Sequence, residues 1–315
     1  MSEQPTLPPI VEYAGRPGIY RLPVDDYHRR PELSSTGARK LLPPSCPALF
    51  KQWRDEGDEP KRAWDIGTAA HKLVLGVGPK LELVAKARWD TNEVKAKVAE
   101  IRGRGDVPLK EPEFEAVHAM ADAIRKHPIA SALFMPRGRP DLGPEGTGEA
   151  EVTVLWQDER TGVRCRALID YLPYFTLHRD GQPATAPAGP GRLLIPDYKT
   201  TGIQNGASPD KIGRAMADHG YYVQMAWYLM GLRAVGYARE DTQPLLVFQE
   251  TRAPYLVTVA QPDPTAMRMG AIRCRQALDL YADCVKNDRW PGYSDDVVIA
   301  ELPSWETREL NGVVW

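Results

Sequence analysis

The middle of this chain carries three apolar, β-rich runs in succession, and they constrain the architecture more than any other feature. Glu149 to Trp156 (Glu-Ala-Glu-Val-Thr-Val-Leu-Trp) alternates in part, Asp158 to Gly162 has the composition of a hairpin turn, and Val163 to Tyr171 is a second run. A Gly/Pro/Ala-rich stretch over 179–191 then leads to a third, beginning at Leu193-Leu194-Ile195. Helical patterns stand on both sides. Before the strands come Thr36–Leu42, with Ser34 or Ser35 as cap and Pro43-Pro44 as stop, then Pro47–Asp55, Asp65–Leu75, 90–101 and 111–127. After them come 209–218, 221–235, two further strands (Leu245–Glu250 and Tyr255–Val259, around Ala253-Pro254) and a long helix, Pro264–Lys286. Strands in a run with helices around them predict an α/β protein with a mixed sheet, not a strictly alternating doubly wound fold.

Composition narrows the class. No stretch approaches the roughly 18 apolar residues of a membrane span, and the N-terminus lacks the basic and apolar regions of a secretory signal. Four scattered cysteines, Cys46, Cys165, Cys274 and Cys284, make no disulfide framework for 315 residues. A cytoplasmic protein is expected. Residues 1–19 form a Pro-rich arm, and 20–315 a single domain. With 40 Lys+Arg against 42 Asp+Glu, net −2, a uniformly basic coat for nucleic acid is excluded. DNA binding requires a local positive surface or metal ions that neutralise phosphate.

The sharpest local chemistry is Ile195-Pro-Asp197-Tyr198-Lys199-Thr-Thr201 at the end of an apolar strand, following Leu168-Ile169-Asp170 at the end of the preceding one. If the two strands pair antiparallel, Asp170 and Asp197 come side by side and repel unless a cation lies between them. Such hard oxygen donors favour Mg²⁺ or Mn²⁺. Lys199 shares a strand face with Asp197 through period-2 geometry, and an ammonium there is placed to stabilise charge in phosphodiester hydrolysis. An Asp-x-Lys at a strand end is also common surface decoration. Three features bear on the choice. His71 closes Gly67-Thr-Ala-Ala-His71 in an apolar helix, where Gly67 and Ala70 permit close approach to the sheet. Gln224 and Tyr228 stand at i and i+4 on one helix face. Glu151 begins the strand before Asp170 and offers another carboxylate.

In this order and on these elements, the residues resemble the PD-(D/E)XK nuclease superfamily, and more narrowly the RecE-like (exonuclease VIII type) phage and prophage exonucleases. Leu33-Ser-Ser-Thr-Gly37, Cys46-Pro-Ala48, Trp290-Pro-Gly-Tyr293 and Leu302-Pro-Ser-Trp305 add to the likeness, which spans roughly residues 20–305. The resemblance implies a restriction-endonuclease-like mixed central sheet flanked by helices, with an N-terminal helical portion. It implies a metal site of His71, Asp170, Asp197 and the Tyr198 carbonyl, with Glu151 as an extra acidic ligand. Lys199 matches the catalytic lysine, and Gln224 and Tyr228 the helix that flanks the site. The implied activity is Mg²⁺-dependent (Mn²⁺ substituting) 5′→3′ digestion of one strand of linear duplex DNA. The 3′ overhang would pass to a RecT-like single-strand annealing protein. A ring-shaped homo-oligomer is implied, a tetramer ahead of a trimer. One departure is visible: a long insert over about 175–191, between the two aspartates.

Arg39, Lys40, Arg164 and Arg166 are the candidates for phosphate contacts, with a net-positive stretch over 80–110. Three other readings stand beside this one. A Cas4- or AddB-like nuclease would carry an iron–sulfur cluster on one early and three late cysteines; only Cys274 and Cys284 are late, so no cluster is expected. A non-catalytic DNA-binding module would have lost an acid or the lysine, yet Asp170, Asp197 and Lys199 are present. A zinc hydrolase would prefer a histidine-rich ligand set, which the six histidines do not form.

Overall fold

The computed structural model describes residues 16–57, 62–86, 88–134, 148–173, 193–202, 206–303 and 306. The insert expected over 175–191 and all but the end of the expected arm lie outside them. Among the described residues, Gly18–Tyr20 (β1) overlaps the end of that arm and pairs antiparallel with a central strand.

That central strand, β5 (Gly148–Gln157), forms an antiparallel hairpin with β6 (Arg164–Pro173), and a two-residue strand, β2 (Leu33–Ser34), runs parallel to the far side of β6. A second sheet holds β7 (Leu194–Thr201), β8 (Gln243–Glu250) and β9 (Val257–Ala260), with β7–β8 parallel and β8–β9 antiparallel. A small parallel pair, β3 (Leu81–Leu83) and β4 (Val107–Leu109), makes a third. The expected antiparallel pairing of the strands carrying the two aspartates is not what the chain adopts. β7 lies against β6, but its ladder partner is β8. The two sheets meet through a side chain: Tyr198 N–H donates to Asp170 Oδ2 at 2.8 Å, replacing a strand-to-strand bond.

Helices cover both faces. α1 (Val24–Arg29), α2 (Ser35–Leu41) and α3 (Pro47–Glu56) precede α4 (Arg62–Leu75), α5 (Asn92–Gly103), α6 (Glu111–Lys126) and α7 (Ala130–Leu133). After β7 come α8 (Pro209–His219), α9 (Tyr221–Ala234) and, at the end, α10 (Pro264–Asn287). Ser34 caps α2 by accepting the Gly37 N–H, and Asp263 caps α10 through Thr265 and Ala266. One core lies under α2, α9 and α10, built on Trp156, Ile169, Ile195, Trp227 and Phe248. The other lies under α4, α6 and α7, with Leu75, Met120, Tyr171, Tyr198 and Val247. A satellite of Val84, Val94, Val98 and Ile101 holds α5 to the small sheet. This is the mixed, helix-flanked architecture read from the sequence. The strands missed there, β1 to β4, are two or three residues long and too short for a periodic signal.

α9 and α10 cross closely because Gly270 has no side chain; a Cβ there would stand 2.4 Å from Tyr222 O. Among the described residues, no helix is long and apolar enough to cross a membrane.

The β5–β6 turn is tied to α10 by Asp158. It accepts from Thr161 N (2.9 Å) and Thr161 Oγ1 (2.6 Å), and pairs end-on with Arg275 Nη1 and Nη2 at 2.8 and 2.7 Å. Chiefly through the Arg275 bonds, its carboxyl falls from 3.8 to about 2. A folded pKa below the unfolded one stabilises the fold above about pH 4, by about 2 kcal/mol, and the gain is lost as pH falls toward 2. Asp158→Ala should therefore cost about 2 kcal/mol in urea unfolding at pH 7, with the gap to wild type narrowing below pH 4. A gap independent of pH would refute the ion-pair account.

Candidate active site

In an extended strand, residues two apart share a face. Along β5, Val152, Val154 and Trp156 enter the core under α9, but Ala150 packs on the opposite one. Along β6, Cys165, Ala167 and Ile169 keep to the α9 side, whereas Tyr171 lies on the other and Leu172 returns. Both strands thus slip phase at one level of the hairpin, where Glu151 faces Asp170. The ladder runs through Val152–Ile169 and Ala150–Tyr171 and omits the position between. The backbone reason is Glu151, whose φ of +52° is left-handed. That conformation costs a non-glycine residue roughly 1–2 kcal/mol, and such strain concentrates at functional sites.

The slip delivers Asp170 to the seam between the sheets. Its Oδ2 takes the Tyr198 N–H and lies 3.3 Å from His71 Nε2, while His71 Nδ1 lies 3.6 Å from Glu151 Oε1. His71 is brought there by α4, which approaches β7 through small residues. Ala70 is fully buried, and a Cβ on Gly67 would stand 3.3 Å from Thr200 Oγ1. On β7, Leu194 and Tyr198 face the α4 core, and Ile195 the α9 core. Asp197 and Lys199 share the face of Ile195, toward α9. Asp197 is wholly buried, with Oδ1 accepting from Gln224 Nε2 at 3.1 Å and Oδ2 in contact with Lys199 Nζ. Gln224 Nε2 also donates to Tyr228 Oη at 2.7 Å. His71, Glu151, Tyr198 and Lys199 line one open cleft of about 1340 Å³.

Burial raises Asp197, Asp170 adds to the rise and Lys199 opposes it, leaving the carboxyl at about 6. Burial pushes Asp170 up as well, but His71, Lys199 and the Tyr198 N–H outweigh it and hold the group below its ordinary value. His71 and Lys199 are raised, their neighbouring carboxylates outweighing burial. Glu151 is raised by burial and by Asp170, against His71. Among the described residues, no three His, Cys, Asp or Glu side chains close into a ready metal cage. The donors nonetheless suit a hard divalent cation. Two carboxylates feel one another's charge, and an imidazole and a third carboxylate adjoin them.

The structure thus gathers His71, Glu151, Asp170, Asp197, Tyr198, Lys199, Gln224 and Tyr228. The Tyr198 phenol takes no part, being turned into the core to donate to Gln249 Oε1. The phosphate-contact candidates divide. Arg39 sits at the α8–α9 junction, donating to His219 O and Thr36 Oγ1. It is close enough to Tyr228, Tyr221 and Asp197 for their charges to offset part of the lowering that burial imposes. Lys40 lies 4.9 Å over the Trp53 ring. Arg164 is half-exposed and pairs with Glu32 at 2.9 Å. Arg166 does not face outward: it is buried, donates to Tyr27 O and Arg30 O, and lies 4.8 Å over the Tyr27 ring, fastening α1 to β6. Its assignment to phosphate is corrected to a structural tie.

One residue was missed. Lys199 Nζ lies 5.1 Å over the ring of Tyr221, a cation–π distance. The signal was available, since 221, 224 and 228 fall at i, i+3 and i+7 on one face of α9.

No family model matches the chain, and no curated protein matches its sequence. Among solved structures it is similar to a protein of Eubacterium rectale assigned as an exonuclease: 13% identity, TM-score 0.55, covering 93% of this chain and 99% of that one. The two share one fold, a mixed α/β arrangement of sheets flanked by helices. A phage-related exonuclease of Haemophilus somnus (13% identity, TM-score 0.32, 82% and 96% covered) and an alkaline exonuclease of Laribacter hongkongensis (13%, 0.22, 72% and 97%) are also found, at scores too low to add to the argument.

The strain at Glu151 has a measurable sign within this fold. At ordinary strand positions alanine is preferred to glycine, but at φ +52° the order reverses. Glu151→Gly should be more stable than Glu151→Ala by about 1 kcal/mol in chemical unfolding. An alanine variant as stable or more so would remove the strain.

Proposed function

We propose that this chain is a metal-dependent exodeoxyribonuclease that digests one strand of linear duplex DNA from its 5′ ends, leaving 3′ overhangs for a single-strand annealing protein. The fold of the exonuclease neighbour supports the class. The observation that carries the chemistry is Lys199 Nζ held on Asp197 Oδ2, beside Asp170 and His71, at an open cleft. Strand polarity, the annealing partner and a ring-shaped homo-oligomer follow from the RecE-like resemblance.

Asp170 and Asp197, with His71, Glu151 and the Tyr198 carbonyl, would hold the divalent ion. When bound, Mg²⁺ or Mn²⁺ would supply Lewis-acid activation of water and stabilisation of the departing oxygen. The chain's own groups prepare the rest. Lys199 keeps its proton, because Asp197 and Asp170 outweigh the effect of burial, and so presents a fixed positive charge where phosphoryl oxygens gain negative charge. Gln224 fixes Asp197 Oδ1, which leaves Oδ2 directed at the lysine, and Tyr228 fixes Gln224. Asp170, bonded to the β7 backbone, holds the two acids at constant spacing. Arg39, close enough to Asp197 to interact with its charge, supplies a further cation beside this cluster.

The iron–sulfur alternative gains nothing from the cysteines. Burial raises the Cys165 thiol and pushes Cys274 up to about 12, and both donate to backbone carbonyls, to Val163 O and Val223 O. A neutral, core-packed thiol is a poor ligand.

Two measurements test the reading. End-labelled linear duplex should be degraded from its 5′ ends in Mg²⁺ and spared in EDTA, with Lys199→Ala slower by about 100-fold or more. Comparable nicking of closed circles would indicate an endonuclease, and binding without cleavage a non-catalytic module. Separately, Mn²⁺ or Mg²⁺ should raise the melting temperature by mass action. Because Asp197 retains its proton up to about pH 6, that rise should be small at pH 5, grow as pH passes 6, and vanish in Asp197→Asn.

A further inference from the structure

The segment after α10 is anchored and then abruptly bare. Trp290 stacks on Phe50 with centroids 5.8 Å apart and meets Tyr281 edge-on at 6.0 Å, while Pro291 O accepts the Ala48 N–H at 3.1 Å. Beyond this point Val297, Val298, Ile299 and Leu302 are between 66% and 99% exposed, in no helix or strand. Single exposed apolar side chains are ordinary, but a contiguous run held in water marks a contact surface.

A second apolar pair lies on the outer face of α10. Met269 and Ile272, one turn apart, are 47% and 51% exposed. The distance from Ile272 to the end of α10 is roughly 22 Å along the helix axis, and the bare segment follows that end of the helix in the chain. Their charges are opposite. From 290 to 303 the chain carries Asp295, Asp296 and Glu301 and no Lys or Arg, with Asp295 paired to Arg289. Met269 and Ile272 are flanked by Arg268 and Arg273.

We propose that Val297–Leu302 of one copy docks across the Met269/Ile272 face of α10 in a second copy, with Asp296 and Glu301 toward Arg268 and Arg273. Donor and acceptor are different surfaces, so the contact is head-to-tail, and every copy keeps one of each to offer to the next. Only the self-association named in the proposed function is presupposed. The nuclease chemistry is not.

The test is sedimentation of the full chain, with the circular dichroism spectrum as the check on folding. Wild type should associate at micromolar concentration. Val297→Ser/Ile299→Ser (donor lost) and Ile272→Glu (acceptor lost) should each be monomeric with an unchanged spectrum. Mixed in equal amounts, the two should form a one-to-one dimer and nothing larger, because together they retain one working contact. Arg273→Glu should weaken association, and Glu301→Arg in the same chain should restore it. A monomeric wild type, undiminished assembly in the donor or acceptor variant, or an inert mixture would each overturn the proposal. Should a variant lose its folded spectrum, the charge-swap pair decides in its place. Wild type that assembles in this way but leaves DNA intact would sink the nuclease reading alone.

Discussion

Among the described residues, a buried carboxylate bonds one sheet of this protein to the next. The Tyr198 N–H on β7 finds its acceptor not on the backbone of β6 but on Asp170 Oδ2. A buried acid is an expensive joint, because desolvation opposes its charge. It persists because three groups repay that cost: the Tyr198 N–H, the His71 ring and the Lys199 ammonium, which together hold Asp170 ionised. Apolar packing at the same seam would be as stable or more so, but it would not hold two acids at a fixed spacing beside an amine. The joint between the sheets and the construction of the site are a single arrangement.

The second constraint is backbone strain. Asp170 reaches the seam only because β5 and β6 change phase together, and the left-handed Glu151 accompanies the change. The local cost is carried by the rest of the hairpin. The Asp158 turn is locked to α10, β1 extends the sheet on one side, and Trp156 packs against Trp227 at 5.3 Å. A strained residue with a carboxylate side chain between two well-paired segments is the pattern expected where geometry serves chemistry more than stability.

What could be read from the sequence follows from which signals are local. The hairpin, α9, α10 and the Ser34 cap all rest on contiguous pattern or capping chemistry, and they appear within one or two residues of where they were expected. His71, Asp170, Asp197, Lys199, Gln224 and Tyr228 could be picked out because each sits at a pattern-defined place on its element. Partner choice between strands is a long-range matter. Nothing local to Leu194–Thr201 says that it pairs with β8, or that its contact with β6 runs through a side chain. Arg166 misled for a related reason. A basic residue alternating along a strand reads as solvent-facing, yet here the opposite face is closed by α1, and the guanidinium satisfies backbone carbonyls of that segment. The positive φ of Glu151 left no trace in composition, since glutamate is not a residue that announces a left-handed turn.

The charges of the site bear on the proposal that a chain of net −2 takes a polyanion as substrate. A field summed over the whole protein cannot draw DNA in, so attraction must be local, and the local acids must be neutralised first. Within the described site Lys199 is already placed on Asp197 and His71 beside Asp170, and Asp197 itself gives up its proton only near pH 6. Part of the acid in the pocket is therefore offset by its own cations. Arg39 adds positive charge at its edge, set there by the left-handed Gly220 at the α8–α9 junction, where a Cβ would stand 2.8 Å from the arginine Cδ. That glycine and that arginine fit one another as Gly67 and Thr200 do on the other wall. In both places the absence of a side chain lets a helix bring its functional residue to the sheet, and the site is assembled as much by what these positions lack as by the charges they admit.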